Sequence, residues 1–230
     1  MPQETSDRIS IAMGTALHGP NYMIRLKVML IFNYETLIDP LLIDIRKFTP
    51  EFSGMRPEDR VLDVCCGTGA QVLEYGRCGI VATGVDVSPS MLKMASRNKK
   101  RQKLENLSFY LADATELPFA SNCFDYASVS LGLHDKERLT RYKVVSEMMR
   151  VVKQDGALIF IDYSVPLVKS IWGSLSQTVE FLAGGEHYKG FKDYIISGGL
   201  EDILKVYHLS EDDRSYLKGG LVVIIKARII

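Results

Sequence analysis

The sequence predicts an α/β protein: a doubly wound sheet of seven strands, mostly parallel, with an antiparallel last strand. Three observations carry this. Short apolar runs alternate with helical stretches between residues 60 and 161, the rhythm of a parallel sheet covered on both faces. The first run, residues 61–66, breaks into Gly67-Thr68-Gly69 and then into a helix from Ala70. The next two end on carboxylates, Gly84-Val-Asp86 and Leu111-Ala-Asp113.

The elements follow in order. Residues 1–20 are polar and contain glycine, which predicts a mobile arm. Between residues 22 and 48, Leu26, Leu30, Tyr34, Leu37, Leu41 and Ile45 recur at helical intervals, with a break expected at Asp39-Pro40. Residues 80–85 form the second strand, with Asp86 at its tip. Ser88-Pro89 then opens a helix, Ser as cap and Pro in the first turn. That helix should turn Met91, Met94 and Ala95 inward. It ends in Arg97, Lys99, Lys100, Arg101 and Lys103, a basic run that suits the helix dipole and reads as a solvated face. Residues 107–112 and 126–131 are strands three and four. The helix after them carries Leu139, Tyr142, Val145, Met149 and Val152 on one expected buried stripe. Gly156 turns the chain into strand five, residues 157–161. Two helices, 167–182 and 186–197, are expected around Gly184-Gly185 as a lid or substrate pocket. A short helix and two strands, 206–209 and 221–227, complete the sheet.

Composition narrows the function. At 230 residues, 47% hydrophobic and 24% charged, the chain suits one well-buried globular domain with an elaboration. Lysine plus arginine equals aspartate plus glutamate at 28 each, and this balance argues against a broad nucleic-acid-binding face. Cys65, Cys66, Cys78 and Cys123 match no zinc spacing, and neighbours Cys65 and Cys66 are expected on opposite faces of a strand, which argues against a disulfide. They read as small buried thiols. The start Met1-Pro-Gln-Glu lacks a basic, apolar leader, and the apolar run Val28-Met-Leu-Ile-Phe32 is far short of the roughly 20 residues that span a bilayer. A cytoplasmic protein is expected.

A strand that runs into Gly-x-Gly and a helix exposes backbone N–H groups and admits a ligand closely. The same turn opens dinucleotide-binding folds. Here, however, Val72 stands where their fingerprint has a third glycine, and Asp63 lies inside the strand. With Gly84-Val-Asp86-Val-Ser-Pro89, Leu111-Ala-Asp113-Ala-Thr-Glu-Leu-Pro-Phe119, Phe124-Asp-Tyr-Ala-Ser-Val-Ser130 and Arg150-Val-Val-Lys-Gln-Asp-Gly156, the series resembles the class I S-adenosylmethionine-dependent methyltransferases over residues 58–163. Ser130-Leu-Gly-Leu133 and Glu116-Leu-Pro-Phe119 are most similar to the ubiquinone/menaquinone biosynthesis C-methyltransferases.

The resemblance implies a Rossmann-like fold, S-adenosylmethionine as cofactor, S-adenosylhomocysteine as product, and no metal. It divides a single domain into an N-terminal arm with covering helices (1–57), a cofactor-binding core (58–163), a helical lid (164–200) and a last helix with strands (201–230). By the family's roles, Cys66, Gly67, Thr68 and Gly69 line the methionine moiety, and Asp63 holds the loop or bonds the amino group. Asp86, beside Val87, accepts the ribose hydroxyls. Asp113 and the Ala114 N–H meet adenine, and Ser130 meets the methionyl amino group. Tyr34-Glu35 stands where the family has a Tyr-Asp pair near the cofactor.

The acceptor side is less defined. A carbon or hydroxyl nucleophile benefits from a general base, whereas a neutral amine can manage without. Candidates are His134, beyond the fourth strand, and His187 and Tyr188 in the lid. The quinone enzymes carry Arg-Asn where this chain has His134-Asp135. Leu167, Ile171, Trp172, Leu175, Phe181, Tyr188 and Phe191 suit a hydrophobic, quinone-like or lipid-like small-molecule acceptor, and equally suit helix packing. Methylation of a soluble metabolite at oxygen or nitrogen, and cofactor binding without turnover, stay open. So do peripheral membrane contact through the basic run and a homodimer. An oxidoreductase is disfavoured by Val72 and by the Asp113-Ala114 pair.

Overall fold

A computed structural model describes residues 42–168 and 185–230. Tyr34, the rest of the expected N-terminal helices and the first lid helix lie outside the described residues, and labels below run over the described elements. Helix α1 spans Ile43–Ser53. Strand β1 (Arg60–Val64) leads to α2 (Ala70–Arg77), β2 (Val81–Asp86), α3 (Pro89–Gln102) and β3 (Leu107–Leu111). After β4 (Phe124–Ser130), α4 (Arg138–Val151) and β5 (Val152–Tyr163) come α5 (Gly185–Ser197), α6 (Leu200–Val206), β6 (Ser210–Leu217) and β7 (Val222–Arg228). The seven strands lie in the order β3-β2-β1-β4-β5-β7-β6. Strands β1 to β5 pair in parallel, and β7 runs antiparallel to both β5 and β6. The expected fold class therefore holds.

Strand β1 lies in the interior of the sheet, between β2 and β4, where it is buried on both faces. Its alternation sorts the core into two layers. Leu62 and Val64 pack with Val129, Val145, Met148 and Phe160 on one face. Val61 packs with Val72, Tyr75, Ile80 and Leu107 on the other. Asp63 shares that second face and is 1% exposed.

Several boundaries differ from expectation. Strand β1 ends at Val64, because Cys65 adopts a left-handed φ of 56° and turns the chain early. Cys65 and Cys66 thus lie in the turn rather than on a strand, and all four cysteines are free thiols. In α3 the residues turned fully inward are Leu92 and Ala95, with Met91 and Met94 only half-buried. In α4 the buried face is Arg141, Val144, Val145, Met148 and Val151, whereas Leu139 is 75% exposed. Val145 and Val152 are buried as expected, but the stripe is shifted at its start, where Arg141 rather than Leu139 occupies a core position.

Strand β5 begins at Val152, so Gly156 lies within it instead of before it. The strand is irregular where Phe124 and Tyr126 change register, and a Cβ at Gly156 would lie 2.4 Å from the Asp125 carbonyl oxygen. Strand β6 is the charged segment Ser-Glu-Asp-Asp-Arg-Ser-Tyr-Leu, not residues 206–209. It is an edge strand, where charged side chains face solvent and discourage further pairing. Arg214 pairs there with Glu211 at 2.6 Å, and Arg228 with Asp212 at 2.6 Å. Ser88 caps α3 by accepting from the Met91 N–H, with Pro89 in the first turn, as expected.

Candidate functional site

The parallel strands deliver their carboxyl ends to one edge of the sheet. Val64 pairs with Val129, and Ser130 with Ile161, so the chain leaves β1, β4 and β5 at one level. Everything polar that the sequence singled out among the described core residues collects here, in two halves.

The first half is built from the ends of β1, β2 and β3. After the Cys65 turn, the Cys66 N–H donates to the Val85 carbonyl and the Gly69 N–H to the Cys66 carbonyl, both at 2.9 Å. Gly69 has φ 74° and begins α2. A Cβ there would lie 2.8 Å from Ala95 and from the Phe109 ring, so geometry and space both require glycine. Over Gly67 (φ 53°) an added Cβ would meet nothing within 4 Å. That open face lies beside the start of an eight-residue helix. Thr68 is buried.

Asp86, half-buried at the tip of β2, clamps this loop. Its Oδ2 accepts from the Gly67 N–H at 2.8 Å, and its Oδ1 from the Ser88 N–H at 2.9 Å. Each carboxylate oxygen has capacity for a further donor. Asp113 is exposed, and its Oδ1 accepts from both the N–H and the hydroxyl of Thr115 at 2.8 Å. These bonds hold its carboxyl below the usual carboxylate range. Val87 and Leu111, apolar side chains beside the two carboxylates, are 66% and 62% exposed, while Ala114 is buried. Open backbone at a helix start, acceptors on Asp86 and uncovered apolar side chains next to them fit an adenosyl amino-acid cofactor.

Asp63 lies beneath this loop. Its Oδ1 accepts from the Ser128 hydroxyl of β4 at 2.6 Å. Burial pushes the Asp63 carboxyl up to about 7, against the Ser128 hydrogen bond and the charge of Arg46. The Tyr75 hydroxyl and Gln71 Oε1 are buried on the same face of the sheet with no hydrogen-bond partner among the described residues. Burial also raises the thiols, Cys65 to about 11 and Cys66 higher still, so both stay protonated near neutrality. Ser130 is half-buried at the end of β4.

The second half is built from the segment after β4, the end of β5 and helix α5. His134 is 6% exposed and Asp162 is 1% exposed, and His134 Nδ1 lies 2.6 Å from Asp162 Oδ1. The imidazole meets the Tyr163 ring edge-on with centroids 4.8 Å apart, and the Phe191 ring at 6.1 Å. The next residue, Asp135, reaches in the other direction. Its Oδ2 lies 3.4 Å from His187 Nδ1, and its Oδ1 accepts from Lys136 Nζ at 3.1 Å. Burial opposes ionisation of Asp135, but the His187 hydrogen bond and the charges of Lys136 and His134 outweigh it and hold the carboxyl well below the usual range.

Helix α5 packs directly on this segment. A Cβ on Gly190 would lie 2.3 Å from the Asp135 carbonyl oxygen. Arg141 of α4, fully buried, ties the two together. Its Nε donates to the Leu133 carbonyl at 3.2 Å and its Nη2 to the Lys136 carbonyl at 2.9 Å. Its guanidinium lies 5.1 Å from the Tyr194 ring centroid.

The structure thus sets His187 of α5 against Asp135, the residue that follows His134, with exposed Tyr188 beside His187 on α5. Sequence reasoning missed Asp162, Ser128, Arg141 and Gly190. Asp162 carried the same signal as Asp86, a carboxylate closing an apolar strand, and could have been found. The other three are seen only once the chain is folded.

Comparison with known proteins agrees with this layout. Residues 61–156 match the family model of the methyltransferase domain. The demethylmenaquinone methyltransferase of Listeria welshimeri is 35% identical over 156 residues, 65% of this chain and 65% of that protein. The ubiquinone/menaquinone biosynthesis C-methyltransferase of Pectobacterium carotovorum is 35% identical over 133 residues, 55% of this chain and 51% of that protein. The matched stretches are therefore under two thirds of these relatives' own lengths. A solved SAM-dependent methyltransferase from Aquifex aeolicus superposes with a TM-score of 0.66 over 87% of this chain and 98% of that one, and at 17% identity it shares the fold. Among the described residues no helix is long and apolar enough to cross a membrane. The matched residues run from β1 into the start of β5 and take in the glycine loop, Asp86 and Asp113, so this part of the chain is similar to the methyltransferase domain.

Proposed function

We propose that the protein is an S-adenosylmethionine-dependent methyltransferase that acts on a small, hydrophobic, quinone-like or lipid-like acceptor by direct in-line displacement. The observation that carries this reading is the meeting of two half-sites at one sheet edge. An open glycine loop clamped by Asp86 lies at the end of β1, and a buried His134–Asp162 pair among aromatic rings lies at the ends of β4 and β5. The named relatives support a quinone-like acceptor.

Bound S-adenosylmethionine supplies an activated methyl group on a sulfonium. What remains for the chain is alignment, which contributes roughly 7–11 kcal/mol, and proton removal, worth roughly 10²–10⁴-fold in rate. Gly67, Thr68 and Gly69 hold the amino-acid end against the start of α2. Asp86 accepts the ribose hydroxyls while keeping its loop contacts, and Val87, Leu111, Asp113 and Ala114 flank the base. Tyr163, half-buried, borders the acceptor, buried Phe191 backs the His134 ring, and His134 accepts the acceptor's proton. Tyr188 and His187 border the acceptor from α5.

Calorimetric titration with S-adenosylmethionine and S-adenosylhomocysteine, with NAD as control, tests the cofactor half. Binding of the first two and not of NAD is expected; NAD binding, or none at all, would overturn it. Transfer of a labelled methyl group to naphthohydroquinone rather than to hydrophilic amines tests the acceptor half.

A further inference from the structure

We propose, on the methyl-transfer reading above, that Lys136 receives the acceptor. Its ammonium binds the oxygen of an ionised, phenol-type hydroxyl where the two halves of the site meet.

The backbone of Lys136 is held on both sides. Its N–H donates to the Leu133 carbonyl at 3.2 Å, and its carbonyl accepts from Nη2 of buried Arg141 at 2.9 Å. The residue is half-buried, and its Nζ donates to Asp135 Oδ1 at 3.1 Å. An ammonium carries three donors and no acceptor. Among the described residues this one spends a single donor, on a carboxylate whose other oxygen lies 3.4 Å from His187 Nδ1. A fixed, half-buried cation with donors to spare suits a charged oxygen.

Its surroundings join the two halves. The charge of Lys136 acts on Cys65 in the turn after β1, on Asp86 at the tip of β2 and on Asp113 beyond β3. Cys65 itself lies against the segment that carries Lys136: a Cβ on Gly132 would lie 3.0 Å from the Cys65 Cβ. The other charged groups have their own partners. Asp86 accepts from the Gly67 and Ser88 N–H groups, and Asp113 from Thr115. Arg141 of α4 donates to the Leu133 and Lys136 carbonyls, and Asp162 of β5 faces His134. Burial opposes the charge on Lys136, but Cys65, Asp135 and Asp86 outweigh it and hold the amine above the ordinary lysine range. Lys136 therefore acts as a charge and not as a base.

The chemistry names the ligand. An ionised hydroxyl turns a ring carbon or the oxygen itself into a strong nucleophile, and a half-buried anion is costly unless a donor meets it. The hydroxyl proton leaves first, to the base of the reading above. The acceptor's electron pair then forms the bond to the methyl carbon, while the sulfur–methyl pair stays with sulfur. For methylation at a ring carbon, the oxygen regains a proton as that carbon loses its own. A neutral amine gains nothing from a neighbouring ammonium, so Lys136 selects hydroxyl acceptors.

The test uses 2-naphthol, whose anion has its own absorbance, bound to the full chain with S-adenosylhomocysteine. Bound 2-naphthol should ionise roughly 1–3 pH units lower than in free solution, the range for a group beside an opposite charge. Lys136→Arg should keep most of this shift. Lys136→Met should lose it with the Kd for S-adenosylhomocysteine unchanged, and its kcat for naphthohydroquinone should fall roughly 10²–10³-fold. Ionisation at the free-solution pH in the unaltered protein, or no binding of 2-naphthol, overturns the proposal without any variant having to fold. So does a Lys136→Met protein that keeps the shift. A loss of S-adenosylhomocysteine affinity in that variant overturns it too, by giving Lys136 to the cofactor's carboxylate. Labelled methyl transfer, measured alongside, separates the two claims. Transfer without the shift removes the role of Lys136 alone, whereas the shift without transfer removes the methyl-transfer reading and leaves Lys136 as the anion site.

Discussion

The two halves of the site are made in opposite ways. The half proposed for the cofactor is mostly backbone and half-exposed side chains: the N–H groups of Gly67 and Ser88, the Asp86 carboxylate, and Val87 and Leu111 open to solvent. The half proposed for the acceptor is a buried polar network in which His134, Asp162 and Arg141 are all nearly or fully inaccessible. A half-site formed by a local turn and the strand beside it needs few supports. One that holds charges away from water must satisfy each of them with a partner. The difference teaches where damage should spread. Changes in the first half should cost ligand affinity and leave the fold intact, and changes in the second should cost the fold itself.

The largest effect is expected at Arg141. Arg141→Met keeps much of the apolar stem but leaves the buried Leu133 and Lys136 carbonyls without their donor. A loss of about 3–5 kcal/mol in urea unfolding is expected, the scale for removing one member of a buried charged network. A loss below that of an ordinary surface change would break the contrast between the halves.

Next comes Asp63, which belongs to the cofactor half by position and to the buried kind by environment. Its carboxyl is raised in the fold from 3.8 to about 7, chiefly by burial. The folded state therefore holds a proton that the unfolded chain releases. The stability linked to this group is intact below pH 4 and is lost as pH rises toward 7. Asp63→Asn removes that dependence. Relative to the unaltered protein it should gain roughly 3 kcal/mol between pH 5 and pH 8, two pH units of linkage at about 1.4 kcal/mol each. Urea titrations of both proteins at the two pH values check it, and a constant difference would mean that Asp63 is ionised in the fold.

Asp86→Ala should behave as the local half predicts. Unfolding should change little, whereas S-adenosylmethionine should bind about 1.5–3 kcal/mol more weakly by calorimetry, the range for hydrogen bonds to a charged group. A folded variant with unaltered affinity would take the ribose role away from Asp86.

The same division governs what was legible in the sequence. The turn after β1, the carboxylate closing β2, the Ser88-Pro89 cap and the seven-strand rhythm are contiguous signals, each set by a few neighbouring residues. His134–Asp162 and Ser128–Asp63 join positions far apart in the chain, and Gly190 matters only because α5 lies on the Asp135 carbonyl. No periodicity encodes such contacts. The edge strand β6 was misplaced for a related reason: on an edge the charged side chains of residues 210–217 face water, and apolar alternation fades.

Helix α4 supplies the finest test of this comparison. Its sequence offers a plausible apolar stripe through Leu139, Tyr142, Val145, Met149 and Val152; Val145 and Val152 are buried as expected, but the helix also turns Arg141, Val144 and Met148 to the core. In this phase the Arg141 guanidinium reaches the Leu133 and Lys136 carbonyls. Leu139 is left 75% exposed. Leu139→Ser should therefore alter stability by no more than about 0.5 kcal/mol, as for an ordinary surface change. Met148→Ala, on the face the pattern did not favour, should cost about 2–5 kcal/mol. Measured side by side in urea, the reverse ranking would mean that apolar periodicity sets the helix phase and Arg141 merely follows. The expected ranking would mean that a buried cation, placed to support the segment carrying His134, overrides the hydrophobic pattern of its own helix.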